Sequence, residues 1–166
     1  MVKPVKMLSQ PEESRCDCTA LRKASRRISQ LYDMALAPAG LKTTQRAILA
    51  QVGRFGSTSI GRLAAALVMD SGALAHTLKP LERDGLVAIN VDPNDRRNRL
   101  VTLTAAGRSC LTESTPLLAR VQHAFEVALG KVESAELRNA MRFLVSEEFS
   151  DGFIRALESS AIYRRH

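Results

Sequence analysis

The feature that most limits this chain's fold is a joint two residues long. Ser59 is suited to cap a short helix over residues 60–68, and Asp70 a second over residues 71–84. Only Met69 and Asp70 lie between them, and Gly85 follows where a helix often closes on a left-handed glycine. Two short helices with so tight a joint predict a helix-turn-helix. Pro80 sits inside the second helix, where an exposed interior would lose about 3 kcal/mol. A bend is expected there, with Leu74, Leu78 and Leu81 still packed inward.

Two strand-like runs follow, residues 86–91 and 100–103. The turn between them reads DPNDRRNR and carries Arg96, Arg97 and Arg99 within four positions. Two antiparallel strands behind a helix-turn-helix make a wing. Read alone, its arginines are also consistent with a solvated hairpin tip. Asp95 stands beside them and is suited to fix one guanidinium by a charge-assisted bond. An arginine held at such a tip fits a DNA minor groove, whose narrow form concentrates negative potential.

Around this core the pattern is helical. Residues 1–16 have no periodicity and are expected to form a flexible arm. Leu21, Ala24, Ile28, Leu31 and Ala35 then fall on one stripe, which Pro38 and Gly40 end. Thr43 or Thr44 is expected to cap a second helix through Ala47, Ile48 and Val52, closing near Gly53. Thr104 is expected to cap a long fifth helix through Leu111, Leu118 and Phe125, with a kink at Pro116. A sixth is expected after Ser134, using Leu137, Met141 and Leu144 and continuing past Gly152 through Phe153, Ile154 and Leu157.

The fold class is therefore mainly α with a small β wing. A winged helix-turn-helix occupies residues 41–104, and long helices at 17–40 and 105–166 are expected to dimerise. Helices that apolar find their simplest burial against a second copy, as a two-fold homodimer.

Charge supports a polyanionic partner. The 166 residues carry a net +7, with a sequence pI near 9.8. Residues 34–108 hold +5 of it, and residues 34–69 contain no acid at all; residues 109–166 sum to −1. Only 4% of the chain is aromatic and there is no Trp. No apolar run is long enough to cross a bilayer, so no membrane partner is expected. The N-terminus lacks a signal-peptide pattern, and three cysteines do not suggest a disulfide framework. A reducing cytoplasm follows as the expected location.

LKPLERDGLV (78–87), DPNDRRNRLVTLTAAG (92–107) and GLKTTQRAIL (40–49) together resemble the multiple-antibiotic-resistance regulators, the MarR-type winged helix-turn-helix repressors. The resemblance covers roughly residues 17 to 150. It implies a homodimer on a pseudo-palindromic double-stranded operator, with Arg97 as the wing arginine and Asp95 its brace. The second helix of the pair departs from the family habit of arginine and hydroxyl residues at its start. Here Gly72, Ala73 and Ala75 leave base contacts to Ser71, His76, Thr77 and Lys79, with Ala73 suited to a thymine methyl. The DNA-contacting set is then Ser71, Gly72, Ala73, His76, Thr77, Lys79, Asp95, Arg96, Arg97 and Arg99.

The resemblance also implies release from DNA by a small aromatic acid bound beside helices one, two and five. Arg22 and Arg26 would pair with its carboxylate, and Tyr32 would pack on its ring. Cys18, near a helix start and close to Arg15, Arg22 and Lys23, is the redox candidate. The peroxide-sensing branch of the family looks similar there, with Tyr32 fourteen residues on. No metal site and no cofactor are expected, because Cys16 and Cys18 point apart on a helix and no histidine is near. No catalytic motif is present, so an enzyme is not expected. A thiol peroxidase built on Cys18 and a dimeric ligand-binding module without strong DNA binding are the readings from other classes. Salt-dependent duplex binding separates the module from a regulator.

Overall fold

The computed structural model describes residues 16–160, so the expected N-terminal arm lies outside the described residues but for Cys16. The elements follow in the order α1 (Asp17–Leu36), a short 3-10 turn (Ala37–Ala39), α2 (Thr43–Phe55), β1 (Thr58–Ser59), α3 (Ile60–Leu67), α4 (Ser71–Arg83), β2 (Val87–Val91), β3 (Arg99–Leu103), α5 (Ala105–Leu129), α6 (Lys131–Leu144) and α7 (Glu147–Ser159). The chain divides after Gln122 into two compact units.

The first unit holds the main core. Ile48, Leu49 and Val52 of α2, Leu63 and Ala64 of α3, and Leu74, Leu78 and Leu81 of α4 close over Val87 and Val101 of the sheet. Leu74, Leu78 and Leu81 therefore face inward as their spacing requires, and α4 runs through Pro80 as one helix. Burying one such leucine contributes about 1.5–3 kcal/mol, so this cluster is what fixes α4 to its neighbours.

The sheet is antiparallel with order β1-β3-β2. Two of its strands were expected; the third, β1, is two residues long and has too little pattern to be read. It pairs Thr58 with Val101 and Ser59 with Leu100. Val87 faces Leu103 and Val91 faces Arg99 on the other side.

The α2 expectations need correction at both ends. The residue before α2 is Lys42, and the carboxylate of Asp33, on α1, accepts from Thr43 N–H at 2.6 Å. The Thr43 backbone N–H, and then its side chain, hold the Asp33 carboxyl below its usual range. The helix also does not stop at Gly53. That glycine lets α2 pass Leu103 and Leu111, since a Cβ there would stand 3.2 and 3.4 Å from their methyls. The stop is Gly56, at φ +77.

The α3–α4 joint is a Schellman-type closure. Met69 N–H donates to Ala64 C=O at 2.9 Å, and Val68 takes the left-handed conformation at φ 51. A β-branched residue there costs about 1–2 kcal/mol. α3 therefore ends at Leu67, one residue before the expected 68.

The second unit begins within α5. Its long final helix is instead two, because Ser146 interrupts it and caps α7 by accepting from Phe149 N–H at 3.2 Å. Phe143 and Phe149 meet edge to face across this break, 5.5 Å between centroids. Arg138 pairs with Glu126 at 3.2 Å. Leu137, Met141, Phe143, Val145, Phe153, Ile154 and Leu157 remain exposed on the single chain.

Candidate nucleic-acid interface

The outward side of α4 is set by its inward one. With Leu74, Leu78 and Leu81 buried, Ser71, Gly72, Ala73, His76 and Lys79 are exposed and Thr77 is half-buried. Asp70 fixes the first turn by accepting from Gly72 N–H at 2.8 Å and Ala73 N–H at 3.1 Å. The Thr77 hydroxyl donates back to Ala73 C=O at 3.0 Å, so its proton is already used. This surface is small-residue backbone with a histidine and a lysine, open to close approach.

The wing tip is built from two side-chain-capped turns. Asp92 accepts from Asn94 N–H at 2.9 Å, and Asp95 from Arg97 N–H at 3.0 Å. The other Asp95 oxygen accepts from the Asn98 amide at 3.1 Å. Asp95 thus holds the backbone of the turn and not a guanidinium, which corrects the expected side-chain brace. The reason is local: two residues on, a backbone N–H is in reach and already fixed by the turn, whereas a long arginine side chain must also be ordered. Arg96, Arg97 and Arg99 are exposed. Among the described residues the ion pairs are Arg83–Asp84 and Arg138–Glu126, so none of the three wing arginines is ion-paired there.

The root of the wing explains the LTAAG stretch. Thr104 donates to Gly85 C=O at 2.6 Å and accepts from Gly107 N–H at 3.0 Å, joining the end of α4 to the start of α5. A Cβ on Gly107 would stand 1.9 Å from Leu86 C=O. Only glycine permits that approach. The hairpin is thereby aimed by a rigid base.

The expected effector residues do not gather in one place. Arg22 and Arg26 line an open depression of about 370 Å³ with Leu21 and Ser25. Tyr32 lies further along α1 and donates to Gln122 of α5 at 3.1 Å. Fourteen residues of helix span about 21 Å, so Tyr32 does not serve Cys18 of its own chain. Cys18 is the second residue of α1, near the helix start as expected. Cys16 is the N-cap of α1, and Thr19 side-chain and backbone bonds hold its thiol below the usual range. Both cysteines are exposed. Burial, then Glu113, pushes the Cys110 thiol up. Among the described residues no group of His, Cys, Asp and Glu is placed to hold a metal ion.

Arg46 has no signal in the sequence, because its partners are 68 and 69 positions away. Its guanidinium donates to Ser114 at 3.1 Å and Thr115 at 3.4 Å, and burial lowers its pKa. Those bonds tie α2 to α5.

Comparison with known proteins agrees with this architecture. The MarR family model matches residues 41–98, the stretch from α2 to the wing tip. The Mycobacterium tuberculosis transcriptional regulator MosR, solved in complex with DNA, is 32% identical at a TM-score of 0.71; the match covers 78% of this chain and 93% of MosR. The chain belongs to the MarR family. Another MarR-type relative, the transcriptional activatory protein BadR of Rhodopseudomonas palustris, is 42% identical over 72 residues; that match spans 42% of this chain and 41% of BadR. The regulator SarZ of Staphylococcus aureus is 25% identical over 134 residues, 81% of this chain and 89% of SarZ. These relatives are transcriptional regulators.

Proposed function

We propose that this MarR-family protein is a cytoplasmic, homodimeric transcriptional regulator that binds a pseudo-palindromic double-stranded operator and represses by occupying it. The observation that carries the reading is the wing tip: three exposed arginines, none ion-paired among the described residues, on a turn locked by Asp95. In this reading Arg97 enters the minor groove, with Arg96 and Arg99 on the flanking phosphates. The α4 surface of Ser71, Gly72, Ala73, His76, Thr77 and Lys79 lies in the major groove. Gly72 and Ala73 bring the helix backbone close, and Ala73 meets a thymine methyl. The core of residues 41–104 does the binding, and the helices of 17–40 and 105–166 hold two copies together. A small aromatic acid releases the protein, its carboxylate on Arg22 and Arg26 in the depression they line with Leu21 and Ser25. Binding of purified protein to the duplex upstream of its own gene, against scrambled duplex, tests the first claim. Equal affinity for the two sequences would contradict it; release by salicylate-like acids but not by neutral aromatics would support the second.

A second reading rests on the α1 N-terminus. Cys16 and Cys18 are exposed one residue apart, and Cys16 carries the lowered thiol pKa. A thiolate here would attack the terminal oxygen of a hydroperoxide, breaking its O–O bond to leave a sulfenic acid and release an alcohol, and so lower DNA affinity once per protein. Cys16 stands beside Cys18 as a candidate for the primary residue, and the variant whose loss abolishes the response, Cys16→Ser or Cys18→Ser, identifies it.

A further inference from the structure

Arg62 is held in a way no other arginine among the described residues is. Its guanidinium carbon lies 4.2 Å over the ring centroid of Phe55. Arg62 is exposed and Phe55 half-buried. The Phe55 ring attracts the guanidinium through its π face, which takes up none of the N–H donors in a conventional hydrogen bond. Those donors make no hydrogen bond among the described residues; only the backbone N–H of Arg62 is engaged, by Ser59. Arg46, Arg83, Arg108, Arg138 and Arg142 all spend their forks on neighbours. No carboxylate among the described residues pairs with Arg62 either.

Its position is tied to the wing. β1 pairs Ser59 with Leu100, one residue from Arg99, and α3 starts immediately after Ser59. Arg62 is therefore rooted at the tip-side end of the sheet, on the strand edge opposite β2. Gly61 adjoins it, exposed, with open space where a side chain would stand.

We propose that Arg62, pre-set on Phe55, is a clamp for a phosphate of the duplex backbone outside the groove contacts of α4 and the wing. A fork already ordered by a ring loses less entropy on binding than a free arginine does, and it is shaped for two phosphate oxygens. A contact to phosphate fixes register and carries no sequence information. This rests on the DNA-binding reading above.

The test is duplex binding across a salt series for wild type, Arg62→Ala and Phe55→Leu, each checked for an unchanged thermal melt. Arg62→Ala should lower the slope of log affinity against log salt by about one. It should weaken the upstream duplex and a scrambled duplex by the same severalfold factor. Phe55→Leu keeps the charge, so it should keep the slope and lose affinity. An Arg62→Ala variant with the wild-type slope, beside a wild type that binds, overturns the clamp alone. A loss confined to the upstream duplex also overturns it, since that would be base reading. A wild type that binds no duplex overturns the underlying reading.

Discussion

At Gly107 a single hydrogen in place of a methyl group lets α5 begin against the end of α4. Gly107→Ala would force its Cβ onto Leu86 C=O, and that atom is backbone with no rotamer to give. A loss of about 2–3 kcal/mol in denaturant unfolding is expected, with no change in the unfolding slope. The thiols offer a second check at this scale. A thiol with a lowered pKa is thiolate at lower pH, and one with a raised pKa only at higher pH. Cys16 should therefore alkylate with a pH midpoint below that of an ordinary thiol, and Cys110 above it. Single-cysteine variants and iodoacetamide measure this; a Cys110 midpoint at or below that of Cys16 would contradict it. A residue that acts through its neighbours in sequence was legible, as Asp70 the cap of α4 shows. Arg46, Asp33 and Arg62 were not, because each is defined by a partner on another element.

The elements themselves show where pattern suffices. The inward leucines of α4 and the antiparallel pairing of β2 with β3 follow from spacing alone. β1 does not, since two residues carry no periodicity and their strand exists only through pairing with β3. The end of α2 was misjudged for a physical reason: Gly53 serves close packing mid-helix, while Gly56 supplies the positive φ. The break before α7 was missed because Ser146, a cap, lies inside an apolar stripe that reads as continuous. The joint at Asp70 gives the expected outcome for this scale. Asp70→Ala removes the acceptor for Gly72 and Ala73 N–H and should cost about 1 kcal/mol by thermal melting. Duplex affinity should fall further than that loss of stability explains, because the frayed turn is the proposed DNA face. An affinity unchanged from wild type would mean that the first turn of α4 does not touch DNA.

On the scale of the whole molecule, charge and apolar surface are divided along the chain. The winged region carries the positive excess, and the final helices are near neutral yet expose Phe153, Ile154 and Leu157. No helix among the described residues is long and apolar enough to cross a membrane. A second copy is the proposed cover, so sedimentation equilibrium should give twice the 18.2 kDa chain mass. Ile154→Glu should shift it towards one chain and weaken operator binding with it. The family could be read from three contiguous stretches, whereas the effector could not, because Arg22, Arg26 and Tyr32 do not converge. The central claim is that the wing reads DNA, and one measurement reaches it most directly: affinity of wild type and Arg97→Ala for the upstream duplex and a scrambled one, across a salt series. The expected result is selective wild-type binding that Arg97→Ala weakens by about tenfold or more, with selectivity reduced. An Arg97→Ala variant equal to wild type in affinity, selectivity and salt slope would contradict the account.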